Sequence, residues 1–249
     1  MNAADFQANT QYGMHGFTVA DAPVDARRAF IRKTYTHLAA AVYAFAGISY
    51  LFHSIGLGET MLGMMGQSRW SWMIILFGFI AVSWVAERWA QSDTSIGMQY
   101  AGLFLYVIAE SVIFAPLLTL AASETFTFES LGTFNIIAAA GWTTLGMFGL
   151  MTAVAFLTKA DFSFLGSLLR IVMFGALGLI VVSMFTGFSL GVWFCWLMVA
   201  AACGYILFHT SNVIHHYRTD QYVAASLTLF ASVALLFWYV IQIFMSNRD

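Results

Sequence analysis

The sequence predicts an all-α, polytopic membrane protein of seven transmembrane helices, six of them packed around a central seventh. Three observations carry this fold class. Of 249 residues, 61% are hydrophobic and only 9% are charged, whereas about a quarter of the residues in a soluble domain are charged. Seven apolar segments recur along the chain, each close to the roughly 20 residues a helix needs to cross a bilayer. Lys and Arg fall unevenly on the two sides of these segments.

Taken in order, residues 1–26 are polar and mixed, with Pro23 and several Asp. No apolar stretch follows a basic start, so they read as a flexible cytoplasmic tail rather than a cleaved signal peptide. Residues 27–249 are expected to form the transmembrane domain. Arg27, Arg28, Arg32 and Lys33 make a basic collar. The spans are placed at about 34–57, 70–90, 97–121, 132–157, 164–187, 190–214 and 222–245. The fifth and sixth are nearly continuous and require a tight hairpin around Thr186–Gly191. Trp70, Trp72, Trp89, Trp193 and the pair Trp238–Tyr239 lie near predicted ends, where an interfacial aromatic belt sits.

The last span is not uniformly apolar. Ala224, Ala225, Thr228, Ala231, Ser232 and Leu235 share one helical face, and Leu229, Phe230, Val233, Leu236, Phe237 and Val240 the other. A stripe of small and hydroxyl side chains lets neighbouring helices approach and hydrogen-bond. This helix therefore reads as the central element. A peripheral helix whose small face makes one ordinary contact is the alternative.

With the N-terminus inside, the inner side holds Arg27, Arg28, Arg32, Lys33, Arg88, Lys159, Arg170 and Arg218, and the outer side Arg69 and Arg248. The loop around Glu124 and Glu129 adds no basic residue to the outer side. Seven spans then put the C-terminus outside. The expected location is a bacterial inner membrane.

Several function classes are excluded. A net charge of -2 gives no basic footprint for nucleic acid. Cys195 and Cys203, eight residues apart on one helix, stand roughly 12 Å apart and cannot pair. No zinc spacing, nucleotide loop, metalloprotease helix or serine nucleophile motif is present, so no enzyme is expected and no resident cofactor.

Few ionisable groups lie within the spans. Glu110 falls near the middle of the third, in YVIAESVIFAPLL, with Pro116 six residues later freeing the carbonyl of Val112. An intramembrane carboxylate usually faces a bundle interior or a wet cavity. It can line a cation path, since hard cations such as calcium prefer oxygen ligands, or it can be a protonated group that only specifies packing. His209 lies inside the cytoplasmic end of span six, His37 at similar depth on span one, and Thr228 is placed in the same layer. An imidazole there titrates near neutral pH or serves as a neutral donor. His215 and His216 read as solvated loop residues, and His53 as an outer-interface residue. Thr219 with Asp220, and Thr158 with Asp161, read as helix caps and turns.

Three stretches resemble one family. ARRAFIRKTYTHLAAAV is similar to the opening of Bax inhibitor-1 family proteins, LTKADFSFLGSLL to their turn between spans four and five, and FHTSNVIHHYRTDQYVAASLTLFASVALLF to their closing helix pair. The chain looks like a bacterial-type member. The resemblance implies six helices around a central seventh and a pH-sensitive calcium leak. It also implies anti-death or stress-protective roles in eukaryotes and, in some bacteria, regulation of a membrane-bound protease. The family's sensor is a pair of aspartates on the closing helices. Here the first falls at His209 and the second at Ser232, with Leu235 at a further position that is often Asn.

Two functions of different class are therefore expected. The first is a passive, pH-modulated cation leak, with Glu110 as main acidic group and tentative calcium ligand. Thr228, Ser232 and Tyr239 would add oxygens, and His209, with His37 at similar depth, would bias opening. The second is a non-conducting regulator in the lipid bilayer that binds another membrane protein, such as a quality-control protease, through its basic N-terminal tail and lipid-facing surfaces.

Overall fold

The computed structural model describes residues 18–92, 95–128 and 132–246. Eight helices appear among them: α1 (Val24–Ser54), α2 (Leu57–Gln67), α3 (Arg69–Ala90), α4 (Ile96–Ala122), α5 (Ile136–Thr158), α6 (Leu165–Thr186), α7 (Gly191–His215) and α8 (Tyr222–Ser246). Seven are long and apolar enough to cross a membrane, all but α2. Strands β1 (Thr125–Phe128) and β2 (Gly132–Asn135) form a small antiparallel hairpin between α4 and α5.

The boundaries have local causes. Ser68 Oγ accepts the Trp70 N–H at 3.2 Å and starts α3. Asn135 Oδ1 accepts the Ile137 N–H at 2.9 Å and starts α5, while its Nδ2 reaches back to the Ala122 carbonyl at 3.0 Å. These are side-chain caps of the kind that satisfy orphan N–H groups. Gly187 and Gly191, with φ of 72° and 67°, make the short α6–α7 hairpin that a β-carbon would strain. Helix α4 runs unbroken through Pro116.

Several boundaries differ from the sequence reading. Helix α1 begins at Val24, so the basic collar rides on its first turns instead of preceding it. The tail is docked at its inner end: the Val19 N–H donates to the Tyr217 carbonyl at 2.8 Å, and Val19 is fully buried. Residues 1–17 lie outside the described residues, as do Glu129 and Arg248. Helix α2 lies between the first two expected spans, and its 11 residues are too few to cross a bilayer. The fourth span begins at Ile136 because β2 occupies the four residues before it.

The most buried spans are α8 and α4, with 61% and 56% of their most apolar 18 residues buried, against 11% for α6 and 6% for α3. Helix α8 packs on α1, α3, α4, α5 and α7, while α6 packs along α7. Both of its faces are buried, Ala224, Ala225 and Ser232 as much as Leu229, Phe230 and Leu236. An aromatic cluster locks three helices together. Phe114 of α4 meets Phe45 of α1 edge-on at 5.0 Å and stacks on Phe237 of α8 at 5.7 Å. The Trp238–Tyr239 pair is not part of an interfacial belt: Tyr239 is buried and Trp238 packs edge-on against Phe114 at 5.0 Å. Trp70 and Trp193 are exposed, as belt residues should be.

Candidate functional site

A half-open cavity of about 380 Å³ is walled by α3, α4, α6, α7 and α8. Its polar groups are Glu87 of α3, Tyr106 and Glu110 of α4, Tyr205 and His209 of α7, and Ser232 and Tyr239 of α8. Trp72, Phe79, Ile113, Phe114, Met173 and Leu235 contribute apolar wall. Helical spacing explains two of the polar pairs. Tyr106 precedes Glu110 by one turn and hydrogen-bonds its carboxyl. Tyr205 precedes His209 by the same interval, and their rings stack at 5.6 Å with 15° between planes.

Glu110 is 6% exposed and, among the described residues, pairs with no Lys or Arg. His209 Nδ1 is buried without a hydrogen-bond partner. Ser232 donates its hydroxyl to the Thr228 carbonyl at 2.9 Å, so only its oxygen lone pairs remain for the cavity. The small stripe of α8 thus does more than admit neighbouring helices: Ala231, Ser232 and Leu235 leave part of the cavity's volume open.

The structure brings together Glu110, His209, Ser232 and Tyr239, and leaves out two residues placed with them. Thr228 meets Tyr217, hydroxyl to hydroxyl at 3.1 Å. His37 sits with Tyr100 and Tyr222: its Nε2 is 2.9 Å from the Tyr100 hydroxyl and its ring 5.1 Å from that of Tyr222. His37 and Thr228 thus do not line the cavity that His209 lines. Depth along separate helices says nothing about which face each residue takes. Sequence reasoning also missed Glu87, which was passed over beside Arg88 near a span end. The available signal was a carboxylate in the last turn of an apolar span, where it is costly unless it meets a polar space or water.

No group of three His, Cys, Asp or Glu among the described residues is arranged to hold a metal ion. Calcium takes six to eight oxygens. The cavity offers the Glu110 and Glu87 carboxylates and a few hydroxyls, a set suited to passing contact more than to a closed cage.

A second polar assembly ties the α5–α6 turn to the end of α7. Asp161 accepts the Ser163 N–H at 2.9 Å and His216 Nε2 at 3.1 Å, and the Ser211 hydroxyl accepts the Phe162 N–H at 2.9 Å. The Ser163 N–H first, then His216, holds the Asp161 carboxyl down at about 2. This end of the latch therefore stays ionised throughout the neutral range. Asp161 is more than a turn residue, and the two histidines are not simply solvated: His216 pairs with Asp161, and His215 Nδ1 lies 3.0 Å from the Ser211 carbonyl. Asp220 pairs with Arg218 at 2.8 Å.

Comparison with known proteins places this architecture. Residues 27–249 match the family model described as "Inhibitor of apoptosis-promoting Bax1". The chain belongs to the Bax inhibitor-1 family. It is similar to Bax inhibitor 1 of Schizosaccharomyces pombe, with 30% identity over 93% of this chain and 82% of that one. It also resembles the Golgi anti-apoptotic protein of vaccinia virus strain Lister, with 26% identity over 94% of this chain and 92% of the relative. In this Bax inhibitor-1 family chain, His209 and Ser232 line one cavity with Glu110.

Proposed function

We propose that the chain is a passive cation leak of the Bax inhibitor-1 type, with calcium as the candidate ion and the Glu110 cavity as its path. The observation that carries this reading is a buried carboxylate, without a basic partner among the described residues, facing a half-open cavity that a second carboxylate also lines. Such a group attracts a passing cation and holds it weakly enough for release. Ser232, Tyr106 and Tyr239 add oxygens. No catalytic role is assigned to any residue.

The leak is modulated by pH in this reading. The titratable groups facing the cavity are Glu87, Glu110, His209 and three tyrosines. Acid removes negative charge at the carboxylates, which weakens cation attraction. The leak therefore falls as pH drops. Purified protein in liposomes loaded with a calcium dye should raise calcium influx above that of empty liposomes, and less so in acid. Influx equal to empty liposomes, at verified incorporation, would sink the leak.

That outcome would leave the second reading, a non-conducting regulator that binds another membrane protein such as a quality-control protease. The replacement of both family aspartates by His209 and Ser232 favours it.

We also place the chain in a bacterial inner membrane with its N-terminus cytoplasmic and its C-terminus outside. The support is the eight-to-two division of Lys and Arg together with seven spans. Reporter fusions at residues 1 and 249 should read opposite compartments; one compartment for both would overturn the orientation.

A further inference from the structure

A second cavity, of about 390 Å³, opens at the end of the bundle that holds the start of α1 and the ends of α5 and α7. Arg27, Lys159 and His215 line it, and no carboxylate does. Ile31, Phe156 and Ile214 form its apolar wall.

The donors are held in place yet still have capacity to spare. Arg27 Nε donates to the Val19 carbonyl at 2.9 Å and Nη2 to that of Ala20. Three of its five N–H groups remain. Lys159 caps α5 with φ of 51°, the one non-glycine residue at positive φ among the described residues. Its ammonium has no ion pair among them. His215 Nδ1 gives its N–H to the Ser211 carbonyl at 3.0 Å, so the spare donors at the cavity are those of Arg27 and Lys159. Nearby carboxylates have partners elsewhere: Asp161 takes His216, and Asp21 accepts the Thr18 hydroxyl at 2.6 Å.

Like charges around a small, partly apolar cavity repel one another, and an anion between them relieves that repulsion. The flanks narrow the choice of anion. Leu157 and Phe164, on either side of Lys159 in the chain, are 82% and 68% exposed. A free phosphate needs no such surface, whereas an acyl chain does. We propose that this cavity binds the phosphate of an acidic membrane lipid, with its chains along Leu157 and Phe164. Basic pockets between helices at the membrane face have this use. The site is separate from the Glu110 cavity and does not depend on conduction.

The test is native mass spectrometry of the full-length protein given equal amounts of phosphatidate and phosphatidylcholine of one chain length. Wild type should retain phosphatidate in preference. Lys159→Asn should reduce that preference about fivefold, the effect of one basic residue at an anionic surface. Asn tolerates the left-handed backbone, so an unchanged melting temperature shows that the fold is kept. Arg88→Ala, which removes a basic residue on α3 outside the cavity, should leave the preference intact. Equal retention of both lipids, or equal loss in Arg88→Ala, overturns the proposal. Displacement of phosphatidate by inorganic phosphate at the same concentration overturns the lipid assignment.

Discussion

Glu110→Gln is expected to lower calcium influx into liposomes about tenfold while leaving the protein folded. Glutamine keeps the size of the side chain and can still hydrogen-bond Tyr106, so the change isolates charge. At an effective dielectric of about 20, a divalent ion roughly 5 Å from a carboxylate is attracted by about 7 kcal/mol before desolvation. If a fifth of that survives desolvation in the rate-limiting step, about 1.4 kcal/mol, the flux changes tenfold. Glu87→Gln should have the smaller effect, because Glu87 is exposed at the rim where water and salt screen it. Wild-type flux in Glu110→Gln, at equal incorporation, would assign Glu110 to packing and remove the main support for the leak.

A large structural effect is expected at Gly102. A β-carbon there would lie 2.5 Å from both the Ala86 carbonyl oxygen and the Ala90 nitrogen. Those are backbone atoms of α3, so no side chain can rotate away and the two helices must separate. Gly102→Ala should destabilise the protein by about 1–3 kcal/mol, the usual cost of overpacking. For a chain of this length that is a fall of roughly 2–10 °C in Tm. Gly146→Ala on α5 is the control, because a β-carbon there has nothing within 4 Å. Equal melting of the two variants would mean that α3 and α4 approach less closely than described. Glu87 follows Ala86 directly, so Gly102→Ala should also alter flux through the shared cavity.

How the polar groups distribute shows where sequence reasoning reaches. Glu110 was visible because a carboxylate within an apolar span is costly, and the cost demands a partner or a cavity whatever the tertiary arrangement. His209 was visible as an imidazole within a span and Ser232 as a hydroxyl of the small stripe, and the structure gives them a shared cavity wall. His37 had the same apparent standing as His209, yet it stands against Tyr100 and Tyr222. Nothing in the periodicity of α1 separates these outcomes, because most of the helix is apolar whichever way it faces.

By itself the sequence determined the seven spans, the hairpin at Thr186–Gly191 and the family. These follow from hydrophobic length, turn glycines and local motifs, all of which act within a few turns of chain. The tertiary structure alone decided that Glu87 joins Glu110 and that Thr228 leaves for Tyr217. It also decided that Trp238 and Tyr239 turn inward and that Arg27, Lys159 and His215 meet around one cavity. The physical reason is that in a bilayer hydropathy marks what enters the membrane but barely distinguishes lipid from core. Which face of a helix turns inward is set by packing against neighbours far away in the chain.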